Sequence, residues 1–481
     1  MTRINQIAIT LSILAVGLRL LAIDQPFVDR WSWRESDVAA IAQNFHRGGH
    51  FAYPQVDWAG DQPGYVGTEF PILPFAAALS YKLLGVHDWI GRIQAVIFFA
   101  ISLPFFFFLT GELFEPVAAV WALLFYAFAP LNFFAGREFM PDAPSLSLAI
   151  VGLYLFKHWL TDGSWKWFWV SAVCVSLSLL IKLPSILIGA PLAYFLFERY
   201  RLAAFRRPAL WLYALFTLVP SAIWYGHAYM ISENFYPHHF FGAGGIQIMS
   251  AAWYWKIAGE TTSGLTPILL GLGIVGLFLN FRRGIFQWWL AATLLFIFVV
   301  GYGNRHPWYQ LPMVPIMAAF AGGAFSFFSG RISGRWLRIA LASVSAVLFA
   351  LLSFTNVRPL YLPTFAPLYD LGLELKRVTP ENSLIVAADN GNPVVFYYAE
   401  RKGWHFPESD AVFQGDPSDS TQAIADLEFL RRRGASYFAV SAHTSWWLDY
   451  YPEFAQHLAN SSTLMESTSA YKIYRLNPVQ K

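Results

Sequence analysis

Four carboxylates stand at the ends of apolar stretches in a chain where charge is scarce. Glu35 and Asp37 lie in Trp33-Arg34-Glu35-Ser36-Asp37, Glu69 in Gly67-Thr68-Glu69-Phe70-Pro71, and Asp142 in Arg137-Glu138-Phe139-Met140-Pro141-Asp142. A carboxylate so placed can take a proton as general base, hold a metal, or bind a polar acceptor. The matching cations are Arg305, in Asn304-Arg305-His306-Pro307-Trp308-Tyr309-Gln310-Leu311-Pro312, and Arg19 in the first apolar stretch. A guanidinium is forked and always charged, which suits a phosphate; His306 and Tyr309 add hydrogen-bonding groups beside it. His238-His239 on another polar segment, taken with Glu69, offer the imidazole and carboxylate ligands of a zinc-like ion. Plainer roles compete with each. Asp37 reads equally as a helix cap, Arg19 and Arg305 as snorkelling residues, and the histidine pair as unliganded.

What must position these groups is a membrane scaffold. Of 481 residues, 56% are hydrophobic and 13% charged, outside the range of soluble domains. There are eleven candidate spans, at 7–24, 90–110, 116–134, 143–160, 167–182, 184–198, 208–231, 264–281, 285–302, 308–329 and 336–354. Crossing a bilayer takes about 20 apolar residues, so 167–182 and 184–198 are short and read also as one hairpin split at Lys182-Leu183-Pro184. The first span has no small-residue cleavage site and is expected to stay as an anchor.

With a cytoplasmic N-terminus, the N-terminal segment and the even connections with their span ends carry twelve Lys and Arg, against Arg137, Lys182 and Arg305 alone on the short odd ones. The positive-inside rule then places the first long loop and the C-terminal segment outside. The single cysteine, Cys174, excludes an intramolecular disulfide. From Asn356 onward 14 acidic residues face 11 basic ones. Neither that balance nor the overall +3 points to nucleic acid.

The first outer loop, 25–89, is too long for a turn. Apolar residues at 38, 41, 42 and 45 predict a helix, with Ser36 or Asp37 as its cap. Residues 70–86 predict a second helix, lying at the interface. A second outer loop spans 232–264. Residues 356–481 read as a small soluble α/β domain outside the membrane, with strands at 383–387, 436–441 and 471–476 and a helix at 423–433 ending at Gly434. The expected architecture is an all-α polytopic membrane domain, 1–355, followed by that domain.

These motifs, in this order, resemble the GT-C superfamily of membrane glycosyltransferases that use polyprenyl-phosphate-linked sugars, above all the protein mannosyltransferases and lipid A aminoarabinose transferases. The resemblance covers the first ~350 residues. Val38-Ala39-Ala40-Ile41-Ala42 stands in the register of the family's Tyr-Ala-Glu-Ile-Ala, Glu69-Phe70-Pro71 resembles its Glu-Lys-Pro-Pro, and Pro141-Asp142 its Pro-Asp. Tyr309-Gln310-Leu311-Pro312-Met313-Val314-Pro315 resembles its Tyr-x-Leu-Pro-x-x-Pro. Three departures stand out. The Asp-Glu pair becomes Arg34-Glu35 in strict register, the lysine after the glutamate becomes Phe70, and the loop histidine matches His238 or His239.

The resemblance implies a GT-C fold and an inverting sugar transfer from a polyprenyl-phosphate donor to a protein, lipid or glycan at the outer face of a bacterial inner membrane. It implies Asp37 as base, with Glu35 as the competing choice, and Asp142 as a further catalytic group. Arg305, Arg19, Glu69, Tyr309 and His306 would bind substrate. A divalent metal, the one cofactor it allows, would lie on Glu69 with His238 or His239. A surface-polysaccharide polymerase or ligase would not be expected to carry these motifs. A transporter or lipid flippase would place its ionisable groups in mid-membrane and show inverted repeats.

Overall fold

The computed structural model describes residues 2–236, 245–279, 284–409, 412–413 and 415–478. The chain divides into two compact units that do not follow chain order. One, wholly helical, holds the chain up to Ile23, Arg92–Gly226 and the later helices up to Leu360. The other, mixed, holds Asp24–Gly91, a segment beginning at His227, and the chain from Tyr361 onward.

Helices α1 (Arg3–Arg19), α4 (Asp88–Leu113), α5 (Pro116–Phe128), α6 (Pro130–Ala135), α7 (Asp142–Asp162), α8 (Trp165–Ile181), α9 (Gly189–Tyr200) and α10 (Pro208–Asn234) carry the first seven apolar stretches. The last four fall on Ala251–Leu265 with Pro267–Leu279, on Gly284–Val299, on Met313–Gly330 and on Arg335–Val357. These are not eleven uninterrupted rods. Among the described residues, four helices are long and apolar enough to cross a bilayer alone: α4, α10, Met313–Gly330 and the helix beginning at Arg335. The pair 251–265 and 267–279 bends by 100°. Helices α5, α8 and Gly284–Val299, of 13, 17 and 16 residues, rise roughly 20–26 Å, short of the ~30 Å hydrocarbon core. Proline explains one interruption: Pro130 has no N–H to continue α5, and Ala129 before it is extended.

Small residues let these helices approach closely, the usual basis of packing in lipid. A Cβ at Gly276 would lie 2.0 Å from the Phe320 carbonyl oxygen, and one at Gly322 2.4 Å from that of Ala118.

The mixed unit holds a five-stranded sheet of order β2-β1-β5-β7-β6: β1 (Leu384–Ala388), β2 (Lys402–His405), β5 (Ala435–Ser441), β6 (Ser462–Ser467) and β7 (Tyr471–Leu476). A short pair, β3 (Glu408–Ser409) and β4 (Val412–Phe413), stands apart. Strand β1 runs parallel to β2 and β5, while β7 is antiparallel to β5 and β6. Val386, Trp404, Phe406, Leu427, Phe438 and Phe454 form its core.

The first loop is built onto this sheet. Gly403 donates to the Asp57 carbonyl at 2.9 Å, and Gly60 to the Gly403 carbonyl at 2.7 Å. At Gly60 φ is +63° and a Cβ would fall 1.9 Å from the Trp404 ring, so only glycine fits. Tyr397 and Tyr398 each donate to Asp88, at 3.0 and 2.6 Å. Burial raises the Asp57 carboxyl above its ordinary range against the opposing charge of Arg47.

Candidate functional site

In the mixed unit the first loop carries α2 (Ser32–His46) and α3 (Ile72–Leu84), and the site begins with α2, which is buried on every side. An interfacial helix keeps one polar face in water; α2 has none, so each charge on it needs a partner. The helix starts with Trp31 as its cap residue, five or six residues earlier than a cap at Ser36 or Asp37 requires. Ser36 instead donates back to the Ser32 carbonyl at 2.8 Å.

Asp37 lies one turn beyond Arg34 on the same face and accepts from its Nη1. Arg34 Nη2 donates to Glu69 Oε1 at 2.6 Å, and Glu69 Oε2 accepts from the Thr68 hydroxyl at 2.8 Å. Arg34, Asp37 and Glu69 are 7%, 5% and 6% exposed. One fork thus fixes two buried acids from distant parts of the loop, the geometry at which arginine surpasses lysine.

Glu35 points elsewhere. It is wholly buried, and its carboxylate comes within 4.8 Å of that of Asp29. Asp29 also accepts from the Trp31 amide at 3.1 Å. These two acids suit a hard divalent cation, which protein sites often hold with one or two carboxylates and a substrate phosphate. Glu69, expected as the metal ligand, already accepts on both oxygens. His238 and His239 lie outside the described residues.

Tyr236 pairs through its backbone with Val66, near Glu69. Burial first, then the charges of Glu408, Asp37 and Asp389, hold its phenol above the ordinary range. Asp37 and two acids at the carboxyl ends of the strands thus act on one ring.

In the helical unit, Asp142 opens α7 and meets Lys182 at 3.5 Å, both nearly buried. The Lys182 ammonium stands 5.0 Å over the Tyr309 ring. Lys182 is extended between α8 and the 3₁₀ turn Leu183–Ile188, where the hairpin break was expected. Arg305 is half-exposed, lies 4.3 Å over Tyr302, and donates from Nε to His306 Nε2 at 3.2 Å. His306 stacks on Trp308 at 4.5 Å.

Arg19 departs from the expectation. It is fully buried, donates to the Ala15, Ala127 and Asn132 carbonyls, and lies 3.5 Å over the Phe99 ring. The α5–α6 break leaves carbonyls that need donors, and Arg19 supplies them. Arg19 thus ties the end of α1 to the backbone of the α5–α6 break.

Sequence reasoning overlooked Arg34, Asp29 and Lys182 as site residues. The signal for Lys182 was present: a lone charge inside an apolar run is a functional candidate by default.

Residues 61–225 match the model of the dolichyl-phosphate-mannose-protein mannosyltransferase family. No curated protein matches the chain. Among solved structures, ArnT from Cupriavidus metallidurans in the apo state aligns with a TM-score of 0.71 at 14% identity, covering 97% of each chain. The same enzyme bound to undecaprenyl phosphate gives 0.68 over the same coverage, also at 14% identity. The Archaeoglobus fulgidus oligosaccharyltransferase gives 0.64 at 13% identity, covering 99% of this chain and 75% of that one. These likenesses show the fold: the chain has the GT-C fold of the matched structures.

Proposed function

We propose that this protein is an integral membrane glycosyltransferase that moves a sugar from a polyprenyl-phosphate donor to an acceptor hydroxyl. The observation that carries this reading is the Arg34 bridge. It holds Asp37 as a fixed, buried carboxylate in a chain with the GT-C fold, whose residues 61–225 match a family named for a lipid-phosphate sugar donor. The matched ArnT structure with undecaprenyl phosphate supports the donor class.

Asp37 accepts the proton of the acceptor hydroxyl as its oxygen attacks the anomeric carbon. The bond from that carbon to the phosphate oxygen breaks, and its electron pair leaves with the polyprenyl phosphate. Negative charge grows on the leaving group, so a cation must meet it. Lys182 serves there, exchanging Asp142 for phosphate, with Arg305 as a second contact. One displacement inverts the anomeric centre. Asp29 and Glu35 would hold a divalent ion, which when bound adds charge stabilisation for the phosphate.

The orientation is a cytoplasmic N-terminus with the first loop and C-terminal domain outside a bacterial inner membrane. Reporter fusions after residues 60, 250 and 400 should read outside, and those after 203 and 333 inside; a cytoplasmic reading at 60 or 400 overturns it. The activity test is incubation of membranes containing the protein with radiolabelled polyprenyl-phosphate sugars. Label should leave the polyprenyl fraction with at least one donor. No transfer from any donor, with the protein shown to be folded, overturns the reading.

A further inference from the structure

The mechanism leaves Glu408 unused. It follows β2 and His405, whose Nδ1 meets both carboxylate oxygens of Asp389 at 2.8 and 2.9 Å. Asp389 in turn follows β1. Carboxyl ends of parallel strands are where open α/β sheets place their ligands. Glu408 is 3% exposed, and its Oε2 has no hydrogen-bond partner among the described residues. Buried polar atoms are nearly always paired, so such an oxygen awaits one.

One residue before Tyr236 in the chain, Phe235 ends an aromatic shelf. Tyr53, Tyr65 and Phe235 follow one another at ring distances of 5.4 and 5.2 Å, and Tyr53 and Phe235 are 37% and 45% exposed. Tyr236, next to Phe235, has Glu408 and Asp37 among its charged neighbours. Flat apolar rings with a few convergent hydrogen-bonding groups suit a ligand with both C–H faces and several hydroxyls.

We propose that the acceptor is a carbohydrate, its ring on the Tyr53–Tyr65–Phe235 shelf, one hydroxyl presented to Asp37 and another bound by Glu408 and Tyr236. This rests on the transferase reading and adds the acceptor class. A lone serine or threonine hydroxyl would leave Glu408 and the shelf without a task. A sugar hydroxyl donates once and accepts twice, so one can give its proton to Asp37 while its neighbour accepts from Glu408.

Burial pushes Glu408 up to about 8 against the attraction of Arg433, with Asp61 adding to the rise. It therefore carries a proton to donate at neutral pH and loses it as pH rises through about 8. The groups that face it are Arg433 beyond the helix Ser420–Arg432, Asp61 in the first loop, and Tyr236 after α10.

The test uses the full chain in native membranes and whichever labelled polyprenyl-phosphate sugar is consumed. The transferred label should resist proteinase K and be released by acid as part of a larger glycan or glycolipid. Glu408→Ala should raise the half-saturating amount of acceptor membranes about 10–100-fold, the scale of one lost buried hydrogen bond, and leave the donor KM alone. Glu408→Gln keeps a donor and should stay within about threefold. Wild type should lose transfer above pH 8 through a weaker grip on acceptor, and Glu408→Gln should not. Label in protease-sensitive product overturns the carbohydrate acceptor. Unchanged acceptor saturation in Glu408→Ala, or an alkaline loss retained by Glu408→Gln, overturns the role of Glu408; should the alanine variant not fold, the glutamine pH profile decides. Absence of transfer by wild type instead counts against the transferase reading itself.

Discussion

One cation organises buried acids in each of the two units, and the two do it differently. Arg34 in the mixed unit bridges two buried acids, Asp37 and Glu69, through separate nitrogens of one rigid fork. Lys182 in the helical unit meets one acid, Asp142, at a looser 3.5 Å and lies over the Tyr309 ring. A planar fork holding two partners fixes carboxylates in place. A compact ammonium on a flexible stem can turn from one anion to another. The contrast fits the two tasks proposed for them in a sugar transfer: orienting a base and meeting a departing phosphate.

The largest expected effect breaks the first task. Asp37→Asn keeps shape but cannot take a proton, so transfer should fall about 10²–10⁴-fold, the usual range for a general base. Glu35→Gln should cost less, because Glu35 stands with Asp29 and not with Arg34. The reverse ranking, with Glu35→Gln inactive and Asp37→Asn near normal, would make Glu35 the base and reduce Arg34 to a scaffold.

Next comes the fork itself. Arg34→Ala leaves two buried carboxylates without their shared cation, a change that costs about 3–5 kcal/mol when one partner of a buried pair is removed. Thermal unfolding in detergent should show the loss. Arg34→Lys should recover only part of it, since one ammonium cannot reproduce two parallel bonds. Full recovery by lysine would erase the distinction between the two centres.

Lys182→Ala should raise the donor KM about tenfold or more, the scale of a lost charged hydrogen bond, while acceptor saturation stays put. Lys182→Arg should work better than alanine but below wild type. A change in acceptor saturation alone would move Lys182 to the acceptor side of the reaction.

The sequence carried the scaffold further than the site. Strand 471–476 was legible residue for residue, and 383–387 and 436–441 within one residue, because each is a short β-rich run between turn residues. Strand β2, Lys402–His405, was not. It has four residues with no alternation, and its Gly403 is there because a Cβ would fall 1.8 Å from the Ile385 carbonyl oxygen. Strand β6 was missed because it lies at the sheet edge and is mostly exposed.

At the site, Asp37 and Glu69 were legible as isolated acids in an apolar chain, but their common partner was not. Sequence spacing reveals that Arg34 and Asp37 share a helix face. It says nothing of a loop returning 35 residues later with Glu69. Arg19 and Lys182 were hard to tell apart for a related reason. Both are lone cations in apolar runs, and only tertiary structure tells which one meets helix-end carbonyls and which meets a carboxylate.

The smallest expected effect concerns Arg305. It is half-exposed, rests on Tyr302 and shares a hydrogen bond with His306, so its charge works in a wetter setting than that of Lys182. Exposed charges are screened by water and salt, and an auxiliary phosphate contact there should be worth only a few-fold. Arg305→Ala should raise the donor KM about three- to tenfold at low salt and less at high salt. Arg305→Lys keeps the charge but loses the fork, and should fall between alanine and wild type. Measuring both variants across ionic strength separates phosphate contact from interface anchoring. A salt-dependent donor KM places Arg305 beside Lys182 in meeting the phosphate. Wild-type kinetics with reduced membrane insertion would leave Lys182 as the single cation assigned to that task.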